Sequence, residues 1–152
     1  MLTLFGRRSR RVETAGAAAL SPQASRSWVN GPWNILVAAG DVSVLARAVR
    51  ALREDPRYVV HTSNDGRLAL ECARQVRPDM VLVDPSLPTP DGSRVHESLR
   101  DALGARARIV VVSNGGREPM ADGNLGVGFR AEDLLKMARA LLDSRPIMGA
   151  GA

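Results

Sequence analysis

The chain has 152 residues, of which 45% are hydrophobic and only 3% aromatic, so we expect one domain with an aliphatic core. Its single cysteine, Cys72, excludes an internal disulfide and a cysteine-based zinc site, and it fits a reducing compartment. The net charge is +5. No apolar run approaches the ~20 residues that span a bilayer, and the first residues lack the apolar core of a signal peptide, so we predict a cytoplasmic protein with no membrane span.

The positive charge is concentrated at the start of the chain. Residues 1–30 contain five arginines and one glutamate, whereas the other residues contain nearly equal numbers of basic and acidic side chains. The high isoelectric point therefore describes this segment and does not indicate a nucleic-acid-binding surface. Because residues 1–33 show no sustained hydrophobic period, we predict a basic, disordered arm that could contact acidic surfaces. An organellar transit peptide would have a similar composition.

From Asn34 onward, short apolar runs alternate with amphipathic helical patterns. Helices are predicted after Asp41, Asp65 and Gly92 and from Ala131, where turn and capping residues precede apolar residues at helical spacing. Residues 114–126 are too interrupted by glycine and proline for a good helix. The runs predicted as strands are residues 34–39, 58–62, 80–84, 108–113 and 127–129.

Alternating strands and helices predict an α/β fold, because parallel strands need crossover helices. The strands are apolar throughout, as expected for a sheet covered on both faces. We predict a single doubly wound, five-stranded parallel sheet over residues 34–144, in the flavodoxin-like strand order 2-1-3-4-5. Residues 145–152 are predicted to be a flexible tail.

The candidate site lies at the end of the third predicted strand. The sequence MVLVDPSLPTPDG places Asp84 there, before a proline-rich loop. In the order 2-1-3-4-5 the ends of strands one and three are neighbours, so Asp84 lies beside Ala39, Gly40 and Asp41. A carboxylate in such a crevice can attack phosphorus and form an aspartyl phosphate. That reaction needs a divalent cation such as Mg²⁺ and a second positive group to neutralise charge.

Residues 34–113 resemble the CheY-like receiver domain of two-component response regulators, and the stretch from Leu52 to Gly92 is most similar to NarL/FixJ-type receivers. The resemblance implies phosphorelay signal transduction without enzymatic activity, with a histidine kinase or another signalling protein as partner. In this interpretation the chain is a stand-alone receiver with no DNA-binding output domain. The resemblance implies the following site: Asp84 as phosphoacceptor, Ser113 as the hydroxyl switch residue, Ser86 as a pocket residue, Pro88 as the loop proline, and Asp91 with Gly92 as the pair that opens the third helix.

The sequence departs from the family at three places. Ala39 and Gly40 stand where the family has an acidic pair, and Asp41 comes one residue late, where we expect it to cap a helix. The family's lysine falls near Val127, which carries no charge. The segment after Ser113 is about two helical turns, or ~7 residues, shorter than is typical, which predicts a shortened fourth helix.

These departures predict a degenerate receiver. We expect weak Mg²⁺ binding, because this cation gives up its waters reluctantly. Its ligands would be Asp84, a backbone carbonyl near Ser86 and, at most weakly, Asp41. We therefore expect action through protein–protein interaction with weak or no phosphorylation of Asp84. The first alternative is a fully functional phosphoacceptor switch on Asp84. A remote alternative is a nucleotide- or flavin-binding protein, based on the G-x-G-x-x-A pattern of residues 126–131.

Overall fold

The computed structural model of the chain describes residues 32–143. The predictions for the arm and the tail therefore lie outside the described residues, except for Pro32 and Trp33, and Trp33 begins the first strand. The strands are β1 (Trp33–Ala38), β2 (Tyr58–Ser63), β3 (Met80–Val83), β4 (Arg108–Val112) and β5 (Gly123–Leu125). The helices are α1 (Val42–Leu52), α2 (Gly66–Val76), α3 (Val95–Leu103), a short 3₁₀ turn (Gly104–Arg106) and α4 (Ala131–Asp143).

All five strands are parallel and lie in the order β2-β1-β3-β4-β5, which confirms the predicted fold. The sheet reverses its order between β1 and β3, where Ala38 pairs with Val83. Val83 pairs in turn with Val111 of β4. The chain therefore brings the ends of three strands together at one edge, and that edge holds the candidate site.

Two apolar cores cover the two faces of the sheet, because successive side chains of a strand point to opposite faces. Ile35 and Val37 of β1 pack with α1 and α4, whereas Leu36 and Ala38 pack with α2 and α3. Both cores are built from aliphatic side chains with few aromatic residues, as the composition indicated. None of the helices within residues 32–143 is long and apolar enough to cross a membrane.

The prediction for the fifth strand is wrong. Residues 127–129 were expected to pair, but the strand is Gly123–Leu125, which pairs with Val110, Val111 and Val112 of β4. Valine and phenylalanine favour strands in general, but here Phe129 closes a turn through a 3.1 Å hydrogen bond from its N–H to the carbonyl of Gly126. Tertiary contacts have outweighed local preference at this position.

The shortening predicted for the family's fourth helix is complete in this structure. Residues 113–122 contain bends and turns and no helix. This segment is held instead by ionic contacts with α3: Glu118 accepts from Arg94 at 3.0 Å and lies 3.1 Å from the buried His96 ring. We call residues 114–122 the β4–β5 segment.

Candidate functional site

Asp84 continues the pairing of β3 with β1 by one residue, since its N–H donates to the carbonyl of Ala38 at 2.9 Å. Its half-buried side chain is anchored by Ser86. Oδ1 of Asp84 accepts hydrogen bonds from the N–H of Ser86 at 2.9 Å and from its hydroxyl at 2.8 Å. Oδ2 has no hydrogen-bond partner among the described residues. The carboxylate is thus fixed through one oxygen and free at the other.

The loop that follows Asp84 is pressed against the first residue of α2. Leu87 is buried, and its N–H donates to the carbonyl of Asp84 at 3.2 Å. Gly66 lies directly under Pro88, because a Cβ on Gly66 would stand 2.0 Å from the Pro88 carbonyl oxygen. No side chain larger than hydrogen fits there without moving the loop.

Asp91 and Gly92 form the turn that leads into α3. Oδ1 of Asp91 accepts hydrogen bonds from the hydroxyl of Ser93 at 2.6 Å, from its N–H at 3.0 Å and from the hydroxyl of Thr89 at 3.0 Å. These bonds, the Ser93 hydroxyl foremost, lower the pKa of the exposed Asp91 carboxyl to about 2. Gly92 has a φ of +78°, which residues with side chains rarely adopt. The loop therefore retains the turn chemistry that its sequence indicated.

The end of β1 carries no carboxylate beside Asp84. Ala39 is buried in the apolar core on the α1 side, and Gly40 is exposed. Asp41 caps α1: its Oδ1 accepts from the N–H of Ser43 at 2.8 Å and from its hydroxyl at 2.7 Å. The Ser43 hydroxyl is the main cause that lowers the pKa of this exposed carboxyl. The predicted cap is confirmed.

Ser113 follows β4 and has its polar groups committed to local turns. Its N–H donates to the carbonyl of Leu125 at 2.9 Å, and its hydroxyl accepts from the N–H of Gly115 at 2.9 Å. The register of β3 with β4 puts Asp84 level with Val112, so Ser113 stands one residue beyond Asp84 at the same sheet edge. In this turn the hydroxyl only accepts, so its own O–H remains available as a donor, as a role as switch residue would require.

The loop between β5 and α4 is bound by an arginine of α1. Arg47 donates from Nη1 to the carbonyl of Val127 at 2.7 Å and to that of Phe129 at 3.2 Å. Gly126 and Gly128, which belong to the glycine pattern, line an open groove of about 800 Å³ between β5 and α4. The glycines of that pattern thus lie beside β5, the last strand at one side of the sheet.

The donor set at the β1–β3 edge does not fit a strong Mg²⁺ site. Within residues 32–143 no three histidine, cysteine, aspartate or glutamate side chains come together in a metal-binding arrangement. Asp84 offers one free carboxylate oxygen, and Asp41 uses one of its oxygens to cap α1. Mg²⁺ prefers several oxygen ligands in octahedral geometry, and the neighbouring Ala39 and Gly40 side chains provide none.

Sequence reasoning missed two residues that shape this edge. Gly66 stood in a recognised turn, Asn64-Asp65-Gly66, but its contact with Pro88 is between elements that only the fold brings together. Arg47 lies on the predicted α1, and nothing in its neighbours along the chain indicated a loop 80 residues away. Helical spacing identified which residues are buried but not which partially exposed side chains reach across.

Comparison with known proteins agrees with this architecture. The family model described as "Response regulator receiver domain" matches residues 35–136. The response regulator MprA of Mycolicibacterium vanbaalenii is 34% identical over 128 residues, which cover 79% of this chain and 55% of that protein. The chain thus spans about half the length of the curated relative it matches.

Solved structures show the same fold. The signal receiver domain of NarL from Mycobacterium tuberculosis has a TM-score of 0.62 at 24% identity, covering 76% of this chain and 99% of that one. The receiver domain of the sensor histidine kinase PA1611 from Pseudomonas aeruginosa has a TM-score of 0.64 at 21% identity, covering 74% of this chain and 98% of that one. That receiver has a magnesium ion coordinated in its active site cleft.

Proposed function

Since this chain belongs to the response regulator receiver domain family, we propose that it serves two-component signalling in the cytoplasm by binding a partner protein, with weak or no Mg²⁺-dependent phosphorylation of Asp84. The partner would be a histidine kinase or another signalling protein. The basic arm is a second candidate contact, toward acidic surfaces.

One observation carries the proposal: within residues 32–143 the carboxylate of Asp84 has a serine as its hydrogen-bond partner and no charged group bound to it. Its described partners are the N–H and hydroxyl of Ser86. The neighbouring strand end offers Ala39 and Gly40, and the nearest carboxylate along that segment, Asp41, is engaged by Ser43. Without a well-held cation, the negative charge that builds up during phosphoryl transfer is poorly stabilised.

The competing function, a working phosphoswitch, is favoured by the free Oδ2 of Asp84. In that reaction Oδ2 would attack the phosphorus of a donor, form a new O–P bond, and release the donor's leaving group with the electron pair. The half-exposed position of the side chain leaves Oδ2 accessible to a small donor. The two functions therefore differ in electrostatic support and not in access to Asp84.

Amide NMR of the full chain distinguishes them. Beryllofluoride, a phosphoryl mimic, is titrated with Mg²⁺ into wild type, Asp84→Ala and the control Asp101→Ala, which removes an exposed carboxylate of α3. We expect shifts at Ser86 and Ser113 that stay far from saturation at millimolar Mg²⁺, and Asp84→Ala should still bind a purified histidine kinase. Saturable shifts at both serines that disappear in Asp84→Ala and persist in Asp101→Ala would establish the phosphoswitch instead.

A further inference from the structure

The loop of residues 126–130 joins β5 to α4 at the sheet edge that holds Asp84 and Ser113. By the family match, its second residue, Val127, stands near the place of the family's lysine. Both polar groups of Val127's backbone are bound by side chains from other elements. Its N–H donates to Oδ1 of Asn114 at 3.0 Å, and its carbonyl accepts from Arg47 at 2.7 Å.

Arg47 makes three contacts with this loop at once. Its Nη1 also reaches the carbonyl of Phe129 at 3.2 Å, and its guanidinium carbon lies 4.9 Å from the centroid of the Phe129 ring. That ring is buried in the core between the sheet, α1 and α4. Both hydrogen bonds come from one nitrogen, Nη1, while the planar guanidinium also lies against the ring. A lysine ammonium could bond the carbonyls but has no planar face to stack on the ring.

The position of Arg47 depends on the start of its helix. Asp41 caps α1, and the buried Val44, Ala48 and Ala51 fix the face that α1 turns to the sheet. Arg47 then projects toward the loop from the flank of that buried face. On the opposite side of the loop, Asn114 directly follows Ser113, so the loop is held between α1 and the end of β4.

We propose that Arg47 and Asn114 are positioning residues that hold the β5–α4 loop in one conformation regardless of what occupies Asp84. This inference deepens the proposed function, and its ligand-dependent part rests on that function. A loop that is held by Arg47 and Asn114 does not depend on a lysine that engages a phosphoryl group. In this chain the loop is a fixed part of the surface presented to a partner.

Hydrogen exchange and amide shifts of the full chain test the contacts without any phosphoryl mimic. Asn114→Ala should speed exchange of the Val127 amide at least tenfold. Arg47→Met should shift the amides of Gly128 and Arg130, which follow the two bound carbonyls, whereas Arg50→Met, an exposed arginine on the same helix, should shift neither. Should Arg47→Met be too unstable to measure, Arg47→Lys takes its place. It keeps the positive charge, and we expect its Gly128 amide shift to remain displaced from the wild-type value. An unprotected Val127 amide in wild type, or unchanged Gly128 and Arg130 amides in both Arg47 variants, would overturn the proposal.

The ligand-dependent part has its own readout. With beryllofluoride and Mg²⁺, any shift in the wild type should stay near Asp84, Ser86 and Ser113 and leave the loop residues Val127 and Phe129 unmoved. In Arg47→Met the shifts should spread into the loop. Loop amides of the wild type that move as far as the Ser86 amide would contradict a fixed loop. The exchange result decides the contacts even if Asp84 behaves as a full phosphoacceptor, so failure of this inference is distinguishable from failure of the proposed function.

Discussion

The sheet has one edge where the strands begin and another where they end. The carboxylates at these two edges are bound by different groups. At the edge where the strands begin, three aspartates are bound by a guanidinium or by a strand N–H. Asp55, before β2, accepts from Arg57 at 2.8 Å, and Asp122, before β5, accepts from Arg100 at 2.7 Å. Asp79, before β3, accepts from the N–H of Asn34 at 2.9 Å. These groups tie turns, strands and helices together, so their role is structural.

At the edge where the strands end, Asp65 caps α2 by accepting the N–H of Leu68, and three other carboxylates are held by serines. Asp41, Asp84 and Asp91 each accept, through Oδ1, the N–H and the hydroxyl of the serine two residues further along the chain. Within residues 32–143 none of the three forms a salt bridge. The same local turn thus supports three different duties, and only the position of the turn relative to its strand separates a helix cap from a candidate phosphoacceptor.

The largest expected effect tests the structural edge. Asp55→Asn should lower the free energy of unfolding by about 2 kcal/mol at pH 7, because it removes a nearly buried charge that binds Arg57. The hydrogen bond from Arg57 lowers the pKa of the Asp55 carboxyl to about 2. A lowered folded-state pKa gives stability that is present above about pH 4 and is lost as the pH falls to about 2.

Urea unfolding of both proteins between pH 7 and pH 2 measures this effect. The difference between wild type and Asp55→Asn should shrink toward zero at the acid end. Asp143→Asn, which removes only a 3.4 Å exposed contact with Arg57, is the matched control and should cost little at any pH. A pH-independent difference would show that Asp55 acts through packing and not through its charge.

The second prediction tests the packing of Gly66 against the Pro88 loop, at the edge where the strands end. Gly66→Ala should destabilise the fold by about 2 kcal/mol, because its Cβ would meet the Pro88 carbonyl oxygen at 2.0 Å and the backbone must shift. Amide shifts should concentrate in the loop from Ser86 to Thr89. Gly40→Ala is the matched control, since its Cβ would lie 3.5 Å from the Leu87 side chain, an ordinary contact. Equal stability of the two variants would mean that the loop does not depend on Gly66.

The sequence predicted the parts of this comparison that depend on local pattern. Four of the five strands, the cap at Asp41 and the place of Asp84 at a strand end follow from apolar runs and turn residues, and the strand order follows from the flavodoxin-like pattern. The family resemblance added the roles expected of Asp84 and Ser113. The position of the fifth strand could not be predicted from the sequence, because the residues of Gly123–Leu125 have little intrinsic preference for strands. They form a strand because β4 lies beside them and pairs with them. The contact of Gly66 with Pro88 is likewise a product of the tertiary arrangement.

The smallest expected effect changes the strand end beside Asp84. Gly40 is exposed and lies one residue beyond Ala39, which the β1–β3 register puts level with Asp84, so Gly40→Asp adds a carboxylate near Asp84 where a side chain fits. Ala39 is a poorer choice, because it is buried in the apolar core and a charge there would be costly. Two carboxylates bind Mg²⁺ better than one, and we expect an affinity gain of roughly tenfold, equivalent to about 1.4 kcal/mol.

Mg²⁺ titrations followed at the Ser86 amide measure this gain, with Gly40→Ala as the control for adding a Cβ. The double variant Gly40→Asp with Asp84→Ala should lose the gain, because the two carboxylates must act together. If Gly40→Asp binds no tighter than Gly40→Ala, then a missing carboxylate does not limit Mg²⁺ binding at Asp84. The hydrogen bonds from Ser86 that hold Oδ1 of Asp84 would then be the remaining restraint, and Ser86→Ala would be expected to raise the affinity where the added carboxylate did not.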